Sequence, residues 1–268
     1  MRVSSLVTYP VKGCAGSVLD TVQVGVAGLE HDRAFMIVDS DGAFRSQRSD
    51  PVLAVVRCSV TNEWLTLEHA SSGSVTVPVD RDSAAREVTM FRRPMRGVDQ
   101  GDEVAAWLTD AIEEPSRLVA APRDHGRITD GIVPGSAQFA DSAAVHILST
   151  ASLAGLNSRL DIPLPMDRFR PNIVVDGWDE PHREDEVRAV SIGGARLAYA
   201  KLAIRCAVTT VEQTTGLRTG PEPLRTLGDY RRARQKGVAF GSKFSVERDG
   251  CVSVGDELRV DAWGESEL

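Results

Sequence analysis

The stretch Ala34-Phe35-Met36-Ile37-Val38-Asp39-Ser40-Asp41-Gly42 joins a short apolar run to a cluster of turn residues. An apolar run that ends in Asp, Ser and Gly is typical of a β-strand entering a hairpin turn. Similar short runs rich in β-branched residues occur at 22–26, 52–60, 64–69 and 74–79. The first part of the chain is therefore predicted to be a meander of β-hairpins.

The periodicity changes at residues 102–112, where apolar residues recur every three to four positions and acidic residues occupy the first turn. This pattern predicts an amphipathic helix. We place a domain boundary close to it, which divides the chain into units 1–115 and 116–268.

The second unit is also predicted to be mainly strand. Residues 145–149 form an apolar run of strand length, and 151–160 follow as a helix with Ser149 or Thr150 as its N-cap. Further strands are predicted at 172–175, 195–200, 206–211 and 255–260. The expected fold is mainly β with a few helices, built as two packed β-rich domains.

Composition and charge narrow the possible functions. The chain has 268 residues, a formal net charge of −7 and four widely spaced cysteines without a C-x-x-C pair. That spacing suits neither a zinc knuckle nor an iron–sulfur cluster, and it predicts reduced thiols in a cytoplasmic protein. The start has no long apolar segment, so neither secretion nor a membrane location is expected, and the acidic balance gives no footprint for nucleic acid.

The familiar nucleotide and hydrolase motifs are missing as well. The sequence contains no G-x-G-x-x-G after a strand, no G-x-x-x-x-G-K-[ST] and no G-x-S-x-G, and its five histidines form no pair at metal-ligand spacing. A dinucleotide enzyme, a P-loop enzyme, an α/β-hydrolase and a zinc or non-haem iron site are thus disfavoured.

Cys206 is the leading candidate for chemistry. It lies among β-branched residues, next to Arg205 and near Lys201, and Thr209 and Thr210 follow it. Nearby cations favour the thiolate, which is the form that attacks electrophiles or binds soft metals. Because free cysteine is also among the most buried residue types, a purely structural thiol remains the alternative at this point.

Two sets of short strings stand out in the sequence. The first set is Tyr9-Pro10-Val11-Lys12-Gly13-Cys14, Asp32-Arg33-Ala34-Phe35 and Ser46-Gln47-Arg48-Ser49-Asp50-Pro51. The second set is Phe139-Ala140-Asp141, Leu148-Ser149-Thr150-Ala151-Ser152-Leu153, Arg168-Phe169-Arg170-Pro171-Asn172-Ile173-Val174-Val175, Arg205-Cys206-x-x-Thr209-Thr210-Val211 and Glu222-Pro223-Leu224-x-Thr226-Leu227-x-x-Tyr230-Arg231. The first set resembles the amino-terminal β-barrel domain of the MOSC family, and the second set resembles the MOSC domain, itself a β-barrel. By pattern the chain is most similar to the amidoxime-reducing components and their bacterial counterparts within that family.

The resemblance implies a molybdenum cofactor, in which a pterin (molybdopterin) chelates the metal. Cys206 matches the position of a protein thiolate ligand to molybdenum. Lys12, Arg33 and Arg170 match positions that bind the pterin phosphate, although Gly13 replaces a serine that is frequent in relatives. The other positions expected to contact the cofactor are Arg48, Asp141, Ser149, Asn172, Arg205, Thr209 and Thr210.

The same resemblance implies an activity. The expected enzyme reduces small N-hydroxylated compounds by transferring their oxygen atom to a Cys206-ligated molybdenum. Since no ferredoxin-like domain with four cysteines follows, a separate flavin reductase, ferredoxin or haem cytochrome is the expected electron donor. Two alternatives stay open: a carrier of molybdenum cofactor or sulfur, with a persulfide on Cys206 and no redox turnover, or a degenerate member that acts only as an interaction domain. The cofactor is expected between or beside the two units, where Lys12 and Arg33 of the first approach Cys206 and Arg170 of the second.

Overall fold

The computed structural model describes residues 1–234 and 237–268, and most of its regular structure is β-strand. The strands are β1 (Arg2–Thr8), β2 (Val11–Lys12), β3 (Ser17–Leu19), β4 (Thr21–Gly25), β5 (Gly28–Leu29), β6 (Phe35–Val38), β7 (Arg57–Val60), β8 (Trp64–His69), β9 (Gly73–Pro78), β10 (Arg86–Met90), β11 (Arg93–Asp99), β12 (Arg117–Ala120), β13 (Ile128–Thr129), β14 (Gly135–Ser136), β15 (Val145–Ser149), β16 (Ile173–Asp176), β17 (Val187–Ile192), β18 (Ala195–Arg205), β19 (Val238–Arg248), β20 (Gly250–Ser253) and β21 (Leu258–Trp263).

Three α-helices and four 3₁₀ turns complete the described chain. The α-helices are α1 (Asp102–Ile112), α2 (Thr150–Asn157) and α3 (Leu224–Tyr230), and the 3₁₀ turns are Pro51–Val55, Met166–Phe169, Arg183–Asp185 and Ala207–Thr210. The predicted class, mainly β with a few helices and packed sheets, is confirmed. Among the described residues, no helix is long and apolar enough to cross a membrane.

The largest sheet draws strands from both predicted units. It has eight strands in the order β21-β17-β18-β19-β15-β16-β1-β3, with β1 antiparallel to β16. Strand β4 likewise pairs with β20. The proposed boundary at residue 115 therefore separates two units whose strands pair with each other in the same sheets.

The expected β-barrel of the second unit is not found as a closed ladder. In the described residues β21 and β3 form the two edges of the sheet. Strand β1 approaches the chain before β21 through one bridge between Arg2 and Glu257. A single bridge does not make a continuous pair of strands, so the sheet curves towards closure without completing it.

The predicted bounds of helices and strands were most accurate where a single sequence signal, such as periodicity or an N-cap, determines the element. Helix α1 covers the predicted residues, and Ser149 caps α2 by accepting a hydrogen bond from the backbone N–H of Ser152. The strand predicted at 52–60 starts only at Arg57, because Pro51 begins a 3₁₀ turn that buries Leu53. The last strand begins at 258 instead of 255.

The strand predicted at 206–211 was wrong. Strand β18 ends at Arg205, and Ala207–Thr210 form a 3₁₀ turn. The Thr209 hydroxyl donates to the Cys206 carbonyl and the Thr210 hydroxyl donates to the Ala207 carbonyl. Hydroxyl side chains that bond to the backbone three residues earlier favour a turn over a strand, which overrides the β-branched composition.

Strand β15 shows how the fold presents its polar residues. Val145 and Ile147 belong to the main apolar core, together with Phe244 of the neighbouring β19. His146 alternates with them and pairs across the strands with Lys243. Because successive side chains of a strand point to opposite faces, His146 and Lys243 share the face away from this core.

Candidate functional site

A pocket lies where the two predicted units meet, and its empty space, together with the open solvent at its mouth, amounts to about 850 Å³. Its lining includes Cys206 and most of the residues that the sequence predicted to contact a cofactor. The predicted residues found there are Lys12, Arg33, Arg48, Asp141, Arg170, Asn172, Arg205 and Cys206. Ser149, Thr209 and Thr210 are buried outside the lining.

Cys206 occupies the point where β18 gives way to a 3₁₀ turn, and it is partly exposed. Its carbonyl accepts hydrogen bonds from the backbone N–H and the hydroxyl of Thr209, at 3.0 and 2.9 Å. The hydroxyls of Thr209 and Thr210 are therefore used to hold the turn that carries the thiol. Their placement favours a positioning role over the direct cofactor contact that was predicted.

The two cations predicted beside Cys206 behave differently. Arg205 lines the pocket and donates through Nη2 to the Phe169 carbonyl at 2.8 Å. Burial lowers the pKa of Arg205, and the neighbouring Cys206 opposes that shift. Lys201 instead pairs with Asp130, with 2.7 Å between Nζ and Oδ1, and does not line the pocket.

Arg33 and Arg170 enclose Tyr9 between their guanidinium groups. The Cζ atom of each lies 4.2 Å from the centre of the tyrosine ring. The Tyr9 hydroxyl donates to the Pro171 carbonyl at 3.2 Å. Burial raises the pKa of Tyr9 to about 12 in spite of both arginines, so the ring remains a neutral surface on which the two planar cations stack.

Both arginines also have left-handed backbone conformations. The φ angle is 46° at Arg33 and 54° at Arg170, values that few residues other than glycine adopt. Such a conformation costs roughly 1 kcal/mol and persists only when the surroundings hold it, as frequently happens at functional sites. Here backbone hydrogen bonds from Arg33 to Tyr9 and from Arg170 to Asp167 hold it.

The charges of these two arginines are compensated to different extents. Arg33 donates to both carboxylate oxygens of buried Asp32, at 2.7 and 2.6 Å. Arg170 donates through Nη1 to Gln213, but its buried Nη2 has no hydrogen-bond partner among the described residues. A buried guanidinium nitrogen without a partner is costly, so Arg170 is prepared to donate to a bound anion.

Asn172 lines the pocket but directs its hydrogen bonds to protein. Its Nδ2 donates to the Val7 carbonyl and to Asp32, and its Oδ1 accepts from the His146 backbone N–H. These three bonds join β1, the Asp32 loop and β15. The predicted contact with the pterin stays a prediction, because the structure uses most of this amide to join the two halves.

Lys12 and Asp141 form an ion pair on one wall. Lys12 also donates to the Phe139 carbonyl at 2.8 Å. Burial lowers the pKa of Lys12, against the opposing effect of Asp141. Burial alone would raise the pKa of Asp141, but the charges of Lys12 and Lys243 outweigh it and hold this pKa well below its ordinary value.

The rim of the pocket carries Arg48 and an aromatic pair. The rings of Phe44 and Phe91 meet edge to face with 4.9 Å between their centres. The Arg48 Cζ lies 5.3 Å from the Phe91 ring, and the Lys12 Nζ lies 5.3 Å from each ring. Apolar faces flanked by cations suit a flat heteroaromatic group that bears negative charge.

Ser149 lies outside the pocket lining and has a structural role. Its hydroxyl accepts from the Ser152 N–H at 3.0 Å and lies 3.1 Å from Oε2 of Glu184. Both contacts are buried. The structure thus gives Ser149 a helix-capping role and brings it near none of the other predicted residues.

Two pocket residues, His146 and Lys243, were missed by the sequence analysis. Burial and the charges of Arg205 and Lys243 hold the pKa of His146 well below its ordinary value, so the imidazole is neutral at pH 7. Its Nε2 is buried without a hydrogen-bond partner in the described chain. The sequence signal that could have revealed His146 was the alternation within 145–149, which places its side chain on the other face of the strand from Val145 and Ile147.

The pocket as a whole fits a polyanionic group. Among the described residues, six cationic side chains line it against one carboxylate, that of Asp141. Arg170 Nη2 and Arg205 Nε are buried donors without partners in the part of the chain that the structure describes. A phosphate or an anionic chelate would supply the missing acceptors, so the residues present suit the cofactor that the sequence implies.

Two family models match the sequence and define the class of protein. Residues 1–115 match the family model described as "MOSC N-terminal beta barrel domain", and residues 134–259 match the "MOSC domain" model. The chain belongs to this family.

Particular relatives extend the match over almost the whole chain. The mitochondrial amidoxime reducing component 2 of Rattus norvegicus is 34% identical over 96% of this chain and 82% of its own length. The mitochondrial amidoxime-reducing component 1 of Homo sapiens is 31% identical, with the same coverage. Among solved structures, the YUAD protein of Bacillus subtilis aligns over 96% of this chain and 93% of its own, at 11% identity and a TM-score of 0.42.

Proposed function

We propose that this protein is a molybdenum-cofactor-dependent reductase of N-hydroxylated compounds, with the Cys206 sulfur as a ligand of the metal. The observation that carries the proposal is a thiol at the edge of a pocket whose buried cationic donors lack acceptors. The names of the relatives support the substrate class, since they describe reduction of amidoximes.

Arg170, Arg33 and Lys12 would hold the pterin phosphate. Arg170 offers the free Nη2, and its stacking on Tyr9 fixes the plane of the guanidinium. Arg33 is aligned by Asp32, which limits its rotation. Several donors fixed in advance reduce the entropy lost when an anion binds.

Cys206 would ligate molybdenum in the same pocket. A thiolate suits a soft metal, and the Thr209 hydrogen bonds to the Cys206 carbonyl hold the backbone turn that carries the thiol. When bound, the cofactor supplies two-electron redox chemistry that accepts an oxygen atom. No group of three or more His, Cys, Asp or Glu side chains in the described residues could hold a metal, so the cofactor would provide the remaining ligands.

Asp141 is the residue best placed to orient the substrate. Its low pKa keeps it ionised, so it accepts a hydrogen bond from the N–H of an amidoxime or hydroxylamine. Reduction of an N–OH group to N–H consumes two electrons and two protons and releases water.

The electrons would come from a separate protein, such as a flavin reductase, a ferredoxin or a haem cytochrome. The carrier alternative, with a persulfide on Cys206, is not favoured by the relatives, whose names describe reduction. The two functions differ in turnover, because a carrier releases its load once whereas a reductase consumes substrate repeatedly.

The test is reduction of benzamidoxime to benzamidine by the holoprotein, with reduced methyl viologen as the electron source. We expect repeated turnover by the wild type and loss of turnover in Cys206→Ser. Cys251→Ser, which changes an exposed cysteine outside the pocket, is the matched control and should keep full activity. Cofactor-loaded wild type that leaves benzamidoxime unchanged would contradict the proposal.

A further inference from the structure

The turn between β10 and β11 holds two bulky residues in a conformation that small residues normally adopt. Met90 pairs with Arg93 across the hairpin, so Phe91 and Arg92 alone make the turn. Their φ angles are 54° and 63°, whereas two-residue turns with positive φ at both positions favour asparagine and glycine. Each such residue costs roughly 1 to 3 kcal/mol of strain, which is typical of residues with a role beyond folding.

This turn stands where the cofactor pocket reaches solvent. Phe91 lines the pocket and is nevertheless 42% exposed. Exposed Arg48 lines the pocket beside it, with 5.3 Å between the Arg48 Cζ and the centre of the Phe91 ring. Arg92 and Arg93 are exposed but do not line the pocket. They therefore lie on the outer surface beside the mouth, outside the space that a cofactor would fill.

Arg218 joins this group through Arg48. Its guanidinium donates a hydrogen bond to the Arg48 carbonyl, and Arg218 is also exposed outside the pocket lining. Four cations and one exposed aromatic ring thus form a continuous surface at the mouth. We call this surface the rim patch; its members are Arg48, Phe91, Arg92, Arg93 and Arg218.

The cations of the rim patch have no counter-ions. In residues 1–234 and 237–268 no carboxylate lies within 4 Å of its four guanidinium groups, whereas Arg86 and Arg96 of the same hairpin pair with Asp99 and Asp124. The two residues outside those ranges, 235 and 236, are Gln and Lys, which carry no carboxylate. Like charges gathered on a surface without counter-ions attract an acidic partner.

The charge of the rim patch contrasts with that of the whole chain, which is −7. Residues 102–114, which comprise α1 and the two residues after it, carry five carboxylates and no cation. They follow the end of β11 that is remote from the turn. Such a separation of charge orients an acidic protein towards the basic side and speeds its association.

We propose that the rim patch is the docking surface for an acidic protein that carries one electron at a time. The inference rests on the proposed function, in which each N–OH group takes up two electrons and two protons to give N–H and water. Two docking events each deliver one electron from the reduced carrier, and solvent supplies the protons. Docking at the patch brings the carrier's redox group to the mouth of the pocket that contains Cys206.

The composition of the rim patch suits a transient contact of this kind. Complexes of electron-transfer proteins are small and weak, since the carrier has to leave after each transfer. The exposed ring of Phe91 provides an apolar centre, and the arginines around it provide a charged rim.

The test uses the holoprotein and a plant-type [2Fe–2S] ferredoxin, which is an acidic one-electron carrier. Binding of oxidised ferredoxin is measured by calorimetry at low and at physiological ionic strength. The variant Arg92→Asn/Arg93→Gln/Arg218→Gln removes three charges that lie outside the pocket lining. Asparagine tolerates the positive φ at position 92, so the turn is kept.

Arg248→Gln is the matched control. Arg248 is an exposed arginine whose described hydrogen bond goes to the Gly194 carbonyl. It occupies the end of β19 opposite to Val238, and Val238 is the residue that pairs with Arg205 beside the pocket. The control therefore removes a similar charge at a distance from the rim patch.

We expect the triple variant to raise the Kd for ferredoxin about tenfold at low ionic strength and to make it less dependent on salt, because rim charges act through screened attraction. Arg248→Gln should leave the Kd unchanged. Equal Kd values for wild type and the triple variant, or a wild type that does not bind ferredoxin, would overturn the docking surface. A preference of the same arginines for a single-stranded oligonucleotide over ferredoxin would overturn it as well.

Two further readouts separate this inference from the proposed function. The first is molybdenum and pterin content, which should be the same in wild type and triple variant; its loss would assign these arginines to the cofactor and overturn the docking surface. The second is benzamidoxime reduction, which should slow with reduced ferredoxin as donor but not with reduced methyl viologen. If ferredoxin binds through the rim patch and neither donor supports reduction, the docking surface stands and the reductase proposal fails.

Discussion

Strand β19 has a cluster of polar side chains on each of its two faces, and each cluster includes at least one buried arginine. On the core side, buried Arg231 pairs with buried Asp185, donates through Nε to the Ala239 carbonyl at 3.1 Å, and shares Asp185 with the Ser242 hydroxyl. On the other side the next residue, Lys243, faces a pocket in which cations outnumber carboxylates.

The difference lies in whether the donors are satisfied. The Arg231–Asp185–Ser242 cluster is closed, since each charge meets an opposite charge and further hydrogen bonds. The pocket is open, because Arg170 and Arg205 retain buried nitrogens without partners in the described chain. Closed clusters hold a fold together, whereas open ones are arranged for a ligand. Substitutions should therefore affect stability in the first cluster and cofactor or substrate binding in the second.

The largest effect is expected from Arg231→Met. Removal of the guanidinium leaves Asp185 buried without its counter-ion, which should lower the free energy of unfolding by about 3 to 5 kcal/mol. Urea denaturation of the cofactor-free protein measures this loss. The double variant Arg231→Met/Asp185→Leu should recover much of it, and a double variant as unstable as the single one would show that the pair is not a closed unit.

Arg170→Gly should separate binding from stability. Glycine tolerates the left-handed φ of this position, so the free energy of unfolding of the cofactor-free protein should change by less than about 1 kcal/mol. Loss of the free donor should weaken cofactor binding by about 10- to 100-fold, as for a charge-assisted hydrogen bond. Molybdenum and pterin analysis after dialysis measures retention, with Arg170→Lys as the charge-retaining comparison.

These contrasts also show which features a sequence can reveal. Helix α1 and the Ser149 cap were predictable because each depends on neighbouring residues. Lys12, Arg33 and Arg170 were found through family strings, although their geometry around Tyr9 was not. Lys243 is a lone lysine in a strand, and only the pairing of β19 with β15 and β18 brings it to the pocket.

Three residues predicted to contact the cofactor lie outside the pocket because their hydroxyl groups bond to neighbouring parts of the chain. Thr209 and Thr210 bond to nearby carbonyls, and Ser149 caps a helix. Short hydroxyl side chains have nearby backbone groups within reach, and the sequence alone does not show which acceptor they choose.

Lys243→Met should stabilise the cofactor-free protein. The pKa of Lys243 is about 8 when folded and 10.5 in its ordinary state, so the unfolded chain binds more protons between these values. Stability contributed by this group therefore rises with pH from about 8 to 10.5, and the penalty is fully present below pH 8. We expect a gain of about 1 to 2 kcal/mol at pH 7, limited by solvent in the open pocket, that disappears above pH 10.5.

Urea denaturation of wild type and Lys243→Met at a series of pH values measures this difference. Taking the difference removes the titration of groups common to both chains. A gain that is constant from pH 7 to 11 would show that the lysine is not under strain from neighbouring charges.

The smallest effect is expected from Ser149→Ala. Loss of the N-cap should lower the free energy of unfolding by about 1 kcal/mol. Molybdenum and pterin content should stay at the wild-type level, because Ser149 does not line the pocket. Loss of cofactor at unchanged stability would instead support the cofactor contact predicted from the sequence.

The most direct test of the account is X-ray absorption at the molybdenum edge of wild type and Cys206→Ser. If Arg170, Arg33 and Lys12 bind the pterin phosphate as proposed, the variant should retain pterin and metal but show one sulfur ligand fewer. The same number of sulfur ligands in both proteins, or a wild type that takes up no molybdenum in a host that makes the cofactor, would contradict the assignment of Cys206 as the metal ligand.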